Sequence, residues 1–376
     1  MTNRMREQIS PKSCRCHKRP RRALVRPVVI GLLVVAALAV AAWALLRMDP
    51  WGEEGGGISE RFEFNADGYQ RADPALIKFQ ERGSFATESN AVRALATGPD
   101  DRVYVAGETS VLIFGPDGKR QGEIPVKREP SCLAVAGAEH VHAGRLYVGA
   151  GNRIYLFDSQ AAVGAWTDGL NDKSVITSLA VAEEAVFAAD AGNRVVLRFD
   201  PEGKLLGRIG EPDAARGLRG FVIPSPHFDV AVTADGLLRV ANPGARRIET
   251  FTADGDLLGH WGKASADIDG FFGCCNPADF TVLPDGRFVT AEKGIPRIKI
   301  YSPKGDLDCV VADPEMLGQT VSAAQLNEDS GHTPTFDVAV HSRGRVLVLD
   351  PMKRLVRVFV RKEGVPSVAK EGQTHE

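Results

Sequence analysis

One pattern recurs six times along this chain and constrains its fold more than any other feature. A β-like run ending in an aromatic residue and a turn appears as VLIFGPDG (111–118), IYLFDSQ (154–160), VLRFDPEG (196–203), IETFTADG (248–255), IKIYSPKG (298–305) and VRVFVRKEG (356–364). The aromatics Phe114, Phe157, Phe199, Phe251, Tyr301 and Phe359 follow one another at spacings of 43, 42, 52, 50 and 58. A second run precedes each, as in RVYVAGE (102–108) and RVLVLDP (345–351). A third precedes that, as in SLAVA (178–182) and the two copies of FDVAV (228–232 and 336–340). Each run has about five residues, which is strand length. Asp-Gly pairs at 117–118, 235–236, 254–255 and 285–286 supply the positive φ of tight hairpins. Four strands per unit, repeated at such intervals, predict the blades of an all-β, six-bladed propeller.

The sixth unit lacks an outer strand of its own. The run Ala75 to Phe79, ALIKF, has no unit and resembles the outer strand of unit three, residues 204–209. It is read as the missing strand, so that an N-terminal segment pairs with Val356 to Val360 and closes the ring. The propeller is expected over residues 75–364, with a disordered tail over 365–376.

The unit follows the pattern V/L-x-V-A-D/N-x-G-x-x-R-V/I-x-x-F. Ala189-Asp190-Ala191-Gly192-Asn193-Arg194-Val195 matches it well, as does Ala241-Asn242-Pro243-Gly244-Ala245-Arg246-Arg247-Ile248. This resembles the NHL-repeat family of β-propellers, over about residues 75–360. The resemblance implies a ligand scaffold or protein-interaction domain, or one of a minority of metal-dependent lyases and hydrolases. Amidating lyases of this type need several channel histidines. Here His140, His142 and His341 fall near bottom turns and His260 at the end of an outer strand, which leaves His227 and His332 for the top face. A lactonase-type member would place Glu, Asn and Asp around one divalent ion. Asp190, Asn242, Glu292 and Asp350 occupy equivalent turns in four units. They can bind a hard cation or bond to the backbone of their own turns.

Before the repeats lies a different kind of sequence. Pro27 to Leu46 is a run of 20 residues without a charge. A helix of that length crosses a ~30 Å hydrocarbon core with its backbone bonds satisfied internally. Residues 1–46 hold nine Lys/Arg and one acid, while the rest of the chain carries a net −10. The expected organisation is a cytoplasmic basic tail (1–26), a transmembrane helix (27–46) and a linker (47–74). Positive charge before the span places the propeller outside the cytoplasm, in the periplasm if the cell is Gram-negative. The rival is a cleaved signal peptide ending at Ala42-Trp43-Ala44, but the apolar run is longer than such segments usually are. Cys14 and Cys16 beside His17 do not make the Cys-x-x-Cys-His of haem attachment. The acidic body excludes nucleic acid as a partner, and 7% aromatics argues against a sugar-stacking platform.

Long inter-blade segments, residues 210–224, 262–276 and 313–334, gather on the top face, where binding is expected. The most unusual string is Gly270-Phe271-Phe272-Gly273-Cys274-Cys275-Asn276-Pro277. Topology puts it near the turn Ala291 to Arg297, so Cys274, Cys275, Asn276, Glu292, Lys293 and Arg297 are expected near the channel mouth. His227 enters the same mouth, and Cys132 opens the first strand of unit two, opposite unit five. Three readings of the cysteines are open: a soft transition-metal site, a reducible dithiol pair, or small buried residues. Cys309 reads as core. Asp229 and Asp337 stand just inside inner strands, either lining the channel or pairing with Arg. No phosphate loop, G-x-S-x-G or HExxH is present. The expected function is a membrane-tethered scaffold binding a protein or small ligand through its top face. The alternative is a metal-dependent enzyme or redox accessory with a Cys-Cys site.

Overall fold

The structure, a computed structural model, describes residues 25–47, 67–320 and 335–364, with side chains of the first stretch described over 29–43. Cys14, Cys16, His332, most of the expected linker and the expected 365–376 tail lie outside the described residues. The chain divides into two units, residues 1–63 and 64–376. The first contains α1 (Val25–Arg47), which forms over the uncharged run. Among the described residues no helix is long and apolar enough to cross a membrane. The described side chains of α1 are fewer than the roughly 20 residues a span takes. The expected anchor therefore rests on the sequence of 27–46 alone.

The second unit is a six-bladed propeller. Among the described residues there are six four-stranded antiparallel sheets, five of them built from consecutive strands. The inner strands are Ala94–Thr97, Cys132–Val135, Ile176–Val181, Val230–Val232, Asp279–Val282 and Asp337–Val340, which number blades one to six. The six repeat aromatics lie on the third strands and are all buried. Six apolar clusters hold the ring together, and each joins two adjacent blades. Residues alternate between the two seams because side chains of a strand point to opposite faces of its sheet. A blade is thus covered on both faces, and its second strand is wholly buried, as in blades two, three and six.

The sixth sheet shows how the ring closes. Its outer strand comes from the N-terminal side, as expected, but it is Phe79–Ala86 rather than Ala75 to Phe79. Gln80 pairs with Val360 and Phe85 with Val356. The stretch before it runs beside blade five instead, where Ile77 bridges Val310 in parallel. The correction has a physical reason. The outer strand has one solvent-facing edge and is largely exposed, so FQERGSFA carries no apolar run to mark it.

Candidate functional site at the mouth of the channel

One position at or near the start of each inner strand lines the channel. Pairing to the second strand aligns Ala94, Cys132, Ser178, Asp229, Asp279 and Asp337 as one ring, opposite Ala106, Gly149, Ala189, Ala241, Ala291 and Leu349. Blades one to three contribute small residues and blades four to six contribute carboxyls. All six line a channel cavity of about 230 Å³. The three aspartates also floor a wider cavity of about 470 Å³ on the top face, together with inter-blade residues of the whole ring, including Arg93, Ser131, Thr177, His227 and Thr335.

Each carboxyl is fixed by the next blade. Asp229 Oδ2 accepts the Phe280 amide at 2.7 Å, Asp279 Oδ2 the Val338 amide at 2.7 Å, and Asp337 Oδ1 the Leu95 amide at 3.2 Å. Asp229 Oδ1 accepts its neighbour's amide, Val230, at 2.8 Å and the Ser178 hydroxyl. Asp229 and Asp279 also hydrogen-bond to each other. That contact needs a shared proton, because two carboxylates have no donor between them. Burial pushes the pKa of all three upward. It raises Asp229, and it raises Asp279 well above the usual carboxylate range, with the charges of Asp337 and Asp229 adding to the effect. Asp337 is likewise raised well above, by burial and then by the charge of Asp229. No cation partners any of the three among the described residues. Asp229 and Asp337 thus line the channel and do not pair with Arg.

The blade-five residues expected at the mouth come together, but inside the blade. Glu292 and Arg297 are sealed, at 0% and 1% exposure, and pair at 2.8 Å. The other Glu292 oxygen meets Lys299 Nζ at 2.6 Å. Lys299 also donates to the carbonyls of Ile268 and Gly270, and lies 5.0 Å from the ring centres of Phe271 and Tyr301. Burial lowers its pKa to about 8. Arg297 donates to Ala266 O. Asn276 bridges Phe272 O and both backbone groups of Lys293, which is itself buried. These groups are committed to holding residues 266–276 against blade five.

The acids of the second-to-third-strand turns are similarly engaged. Asp190 accepts the amides of Val175 and Asn193, and Asp350 those of Met352 and Lys353. Asn242 accepts the Val222 amide and donates to Glu249. They sit in separate blades as turn braces. Among the described residues no group of three or more His, Cys, Asp or Glu is placed to hold a metal ion. The expected convergence of Cys274, Cys275 and Cys132 is corrected accordingly. Cys132 belongs to the channel ring, where burial pushes its thiol up to about 12, while Cys274 and Cys275 line neither cavity. Cys309 is core, as its sequence context suggests. Of the expected ligand-binding residues, His227 does reach the mouth.

Asp279 is the site residue that the repeat comparison passes over. In blades four and six the acid follows a phenylalanine, whereas here it precedes one: HFDV and TFDV against ADFTV. Counting back from the hairpin glycine finds it. Asp229, Asp279 and Asp337 each lie seven residues before Gly236, Gly286 and Gly344, which all adopt positive φ.

No family model matches the chain. No curated protein matches it either. Solved structures do, at low identity. The WD40 β-propeller domain of Doa1 is 13% identical, with 76% of this chain and 97% of that one covered, at a TM-score of 0.50. A protein of unknown function from Bacteroides thetaiotaomicron is 14% identical, with 76% of each chain covered and a TM-score of 0.53. A streptogramin B lyase aligns over 77% of this chain and all of its own, at 11% identity and a TM-score of 0.49. Likeness at this level of identity shows the β-propeller fold and nothing of activity.

Proposed function

We propose that this protein is a membrane-tethered binding domain of the NHL type, displayed outside the cytoplasm, whose channel mouth receives a positively charged group of a protein or small-ligand partner. One observation carries the reading. Three carboxyls with no cation partner among the described residues floor a top-face cavity, and burial, then their mutual charge, raises their pKa. An ammonium or guanidinium entering there meets three acceptors at once, displaces the shared proton and relieves their mutual repulsion. Blades one to three build the same ring position with Ala, Cys and Ser, so the fold itself does not require acids there. The tether is inferred from the uncharged run 27–46, the basic residues before it and nine large apolar side chains exposed on α1.

Two experiments test the proposal. The full chain in detergent micelles is presented with a library of short peptides of graded charge. The retained peptides should carry Lys or Arg and should be released by salt; retention without charge preference overturns the binding reading. Protease added to spheroplasts should digest a C-terminal tag and spare an N-terminal one; the reverse pattern overturns the topology.

A further inference from the structure

Two thiols stand apart from the channel and from the buried ion cluster. Cys274 Sγ and Cys275 Sγ lie 3.3 Å apart, both free, on the loop that follows Gly273. They are chemically unequal. Cys274 is exposed, whereas Cys275 is 6% exposed and turned toward Ser225, with burial as the main cause of its raised pKa. The other described cysteines are unlike both. Cys132 and Cys309 are buried, and burial pushes each thiol up to about 12.

We propose that Cys274 and Cys275 form a reversible dithiol–disulfide site that reacts with low-molecular-weight disulfides, Cys274 attacking and Cys275 resolving. In the first step the Cys274 thiolate attacks one sulfur of the disulfide. A Cys274 mixed disulfide forms and one thiolate leaves. In the second step the Cys275 thiolate, already in contact, attacks Cys274 Sγ and expels the second thiolate. The two cysteine protons end on the two released thiols, the small disulfide is reduced, and the protein pair is oxidised by two electrons.

The assignment of roles follows from access. Among the described cysteines, Cys274 alone is exposed to an incoming molecule, and Cys275 is the one in contact with Cys274. Reversibility follows from chain geometry. Adjacent Cα atoms are about 3.8 Å apart, closer than the roughly 4.4–6.8 Å of ordinary disulfides. A bridge between neighbours is therefore strained, and strained bridges open readily to thiols. The loop can take up the change locally, since its anchors flank the pair. Asn276 is pinned to Phe272 and Lys293, and Gly273 O accepts from Arg246 at 3.4 Å. This inference does not depend on what the channel mouth binds.

The test uses the full chain in detergent micelles, oxidised glutathione as the probe, and mass analysis of the unreduced tryptic peptide 264–287, which contains both cysteines and excludes Cys14 and Cys16. The wild type should lose two hydrogens in that peptide and carry no adduct, and dithiothreitol should restore it. Cys275→Ser should hold one stable glutathione on Cys274. Cys274→Ser should react at least tenfold more slowly, because its remaining thiol is buried. A wild type that keeps a glutathione adduct without closing, or stays unmodified, overturns the proposal. Equal reaction rates for the two single variants overturn it as well.

Discussion

One carboxyl inside blade five and a set of three on the channel have opposite fates in this propeller. Glu292 lies in blade five among two cations, sealed from solvent, with both oxygens engaged. Asp229, Asp279 and Asp337 lie on the channel with amide donors but no cation partner among the described residues, and open on a cavity. An acid that has found its cation inside the protein has little left to offer a partner. Acids that face one another across a cavity remain open to a cation from outside. The difference separates a brace from a binding site, although sequence composition presents both as acids near one mouth.

The largest expected effect falls on the brace. Glu292→Gln leaves Arg297 and Lys299 buried without their counter-charge, and should cost about 3–5 kcal/mol in chemical denaturation. The retention of basic peptides by the fraction that remains folded should be unchanged. A loss of retention in that fraction would erase the distinction between the two groups.

Asp229→Ala comes next. It strands the amide of Phe280 and leaves the Val230 amide and the Ser178 hydroxyl with only the long bonds between those two residues. The expected loss is about 3 kcal/mol, from buried donors left unmade. Here both stability and retention should fall, since Asp229 is at once a latch between blades and part of the mouth.

Asp279→Asn should act in the other direction. Its side-chain oxygen can still accept the Val338 amide, and its amide group can donate to Asp229 where the shared proton did. The wild-type carboxyl has a folded pKa raised well above its unfolded value. The folded state therefore binds the extra proton, and this contribution to stability is complete below the unfolded pKa and is lost as pH rises through the folded one. The variant lacks that loss. It should match the wild type near pH 4 and exceed it at pH 8 by about 1 kcal/mol, the scale of a like-charge contact in a wet cleft. Melting curves across that pH range check the sign. The smallest effect is expected at Asp254, an exposed bottom-turn acid that meets Arg198 at the surface. Asp254→Asn should change stability by less than about 0.5 kcal/mol and leave retention alone.

The two groups also show what a sequence makes legible. The six-fold repeat is readable because buried strands alternate or run apolar, and because hairpins need Gly with positive φ, as at Gly236 and Gly286. The outer strand Phe79–Ala86 is not readable, because an exposed edge needs no apolar residues. Glu292, Arg297 and Asn276 were legible as neighbours, since topology fixes which turns share a face. Their burial was not. Lys299 sits between two isoleucines and reads as a solvent-facing position, yet both faces of a third strand are covered here. Asp279 was hidden by a transposed phenylalanine. Only the register to the hairpin glycine, which is a backbone property, places it beside Asp229 and Asp337.

The central claim is that the channel acids, beyond the next-blade amides they hold, are kept as ionisable carboxyls for a partner. The most direct measurement places the double variant Asp279→Asn/Asp337→Asn beside the wild type at pH 8, recording the melting temperature and the affinity for a retained basic peptide on the same sample. The account predicts a higher melting temperature together with at least a tenfold loss of affinity. A double variant that binds the peptide as tightly as the wild type would contradict it.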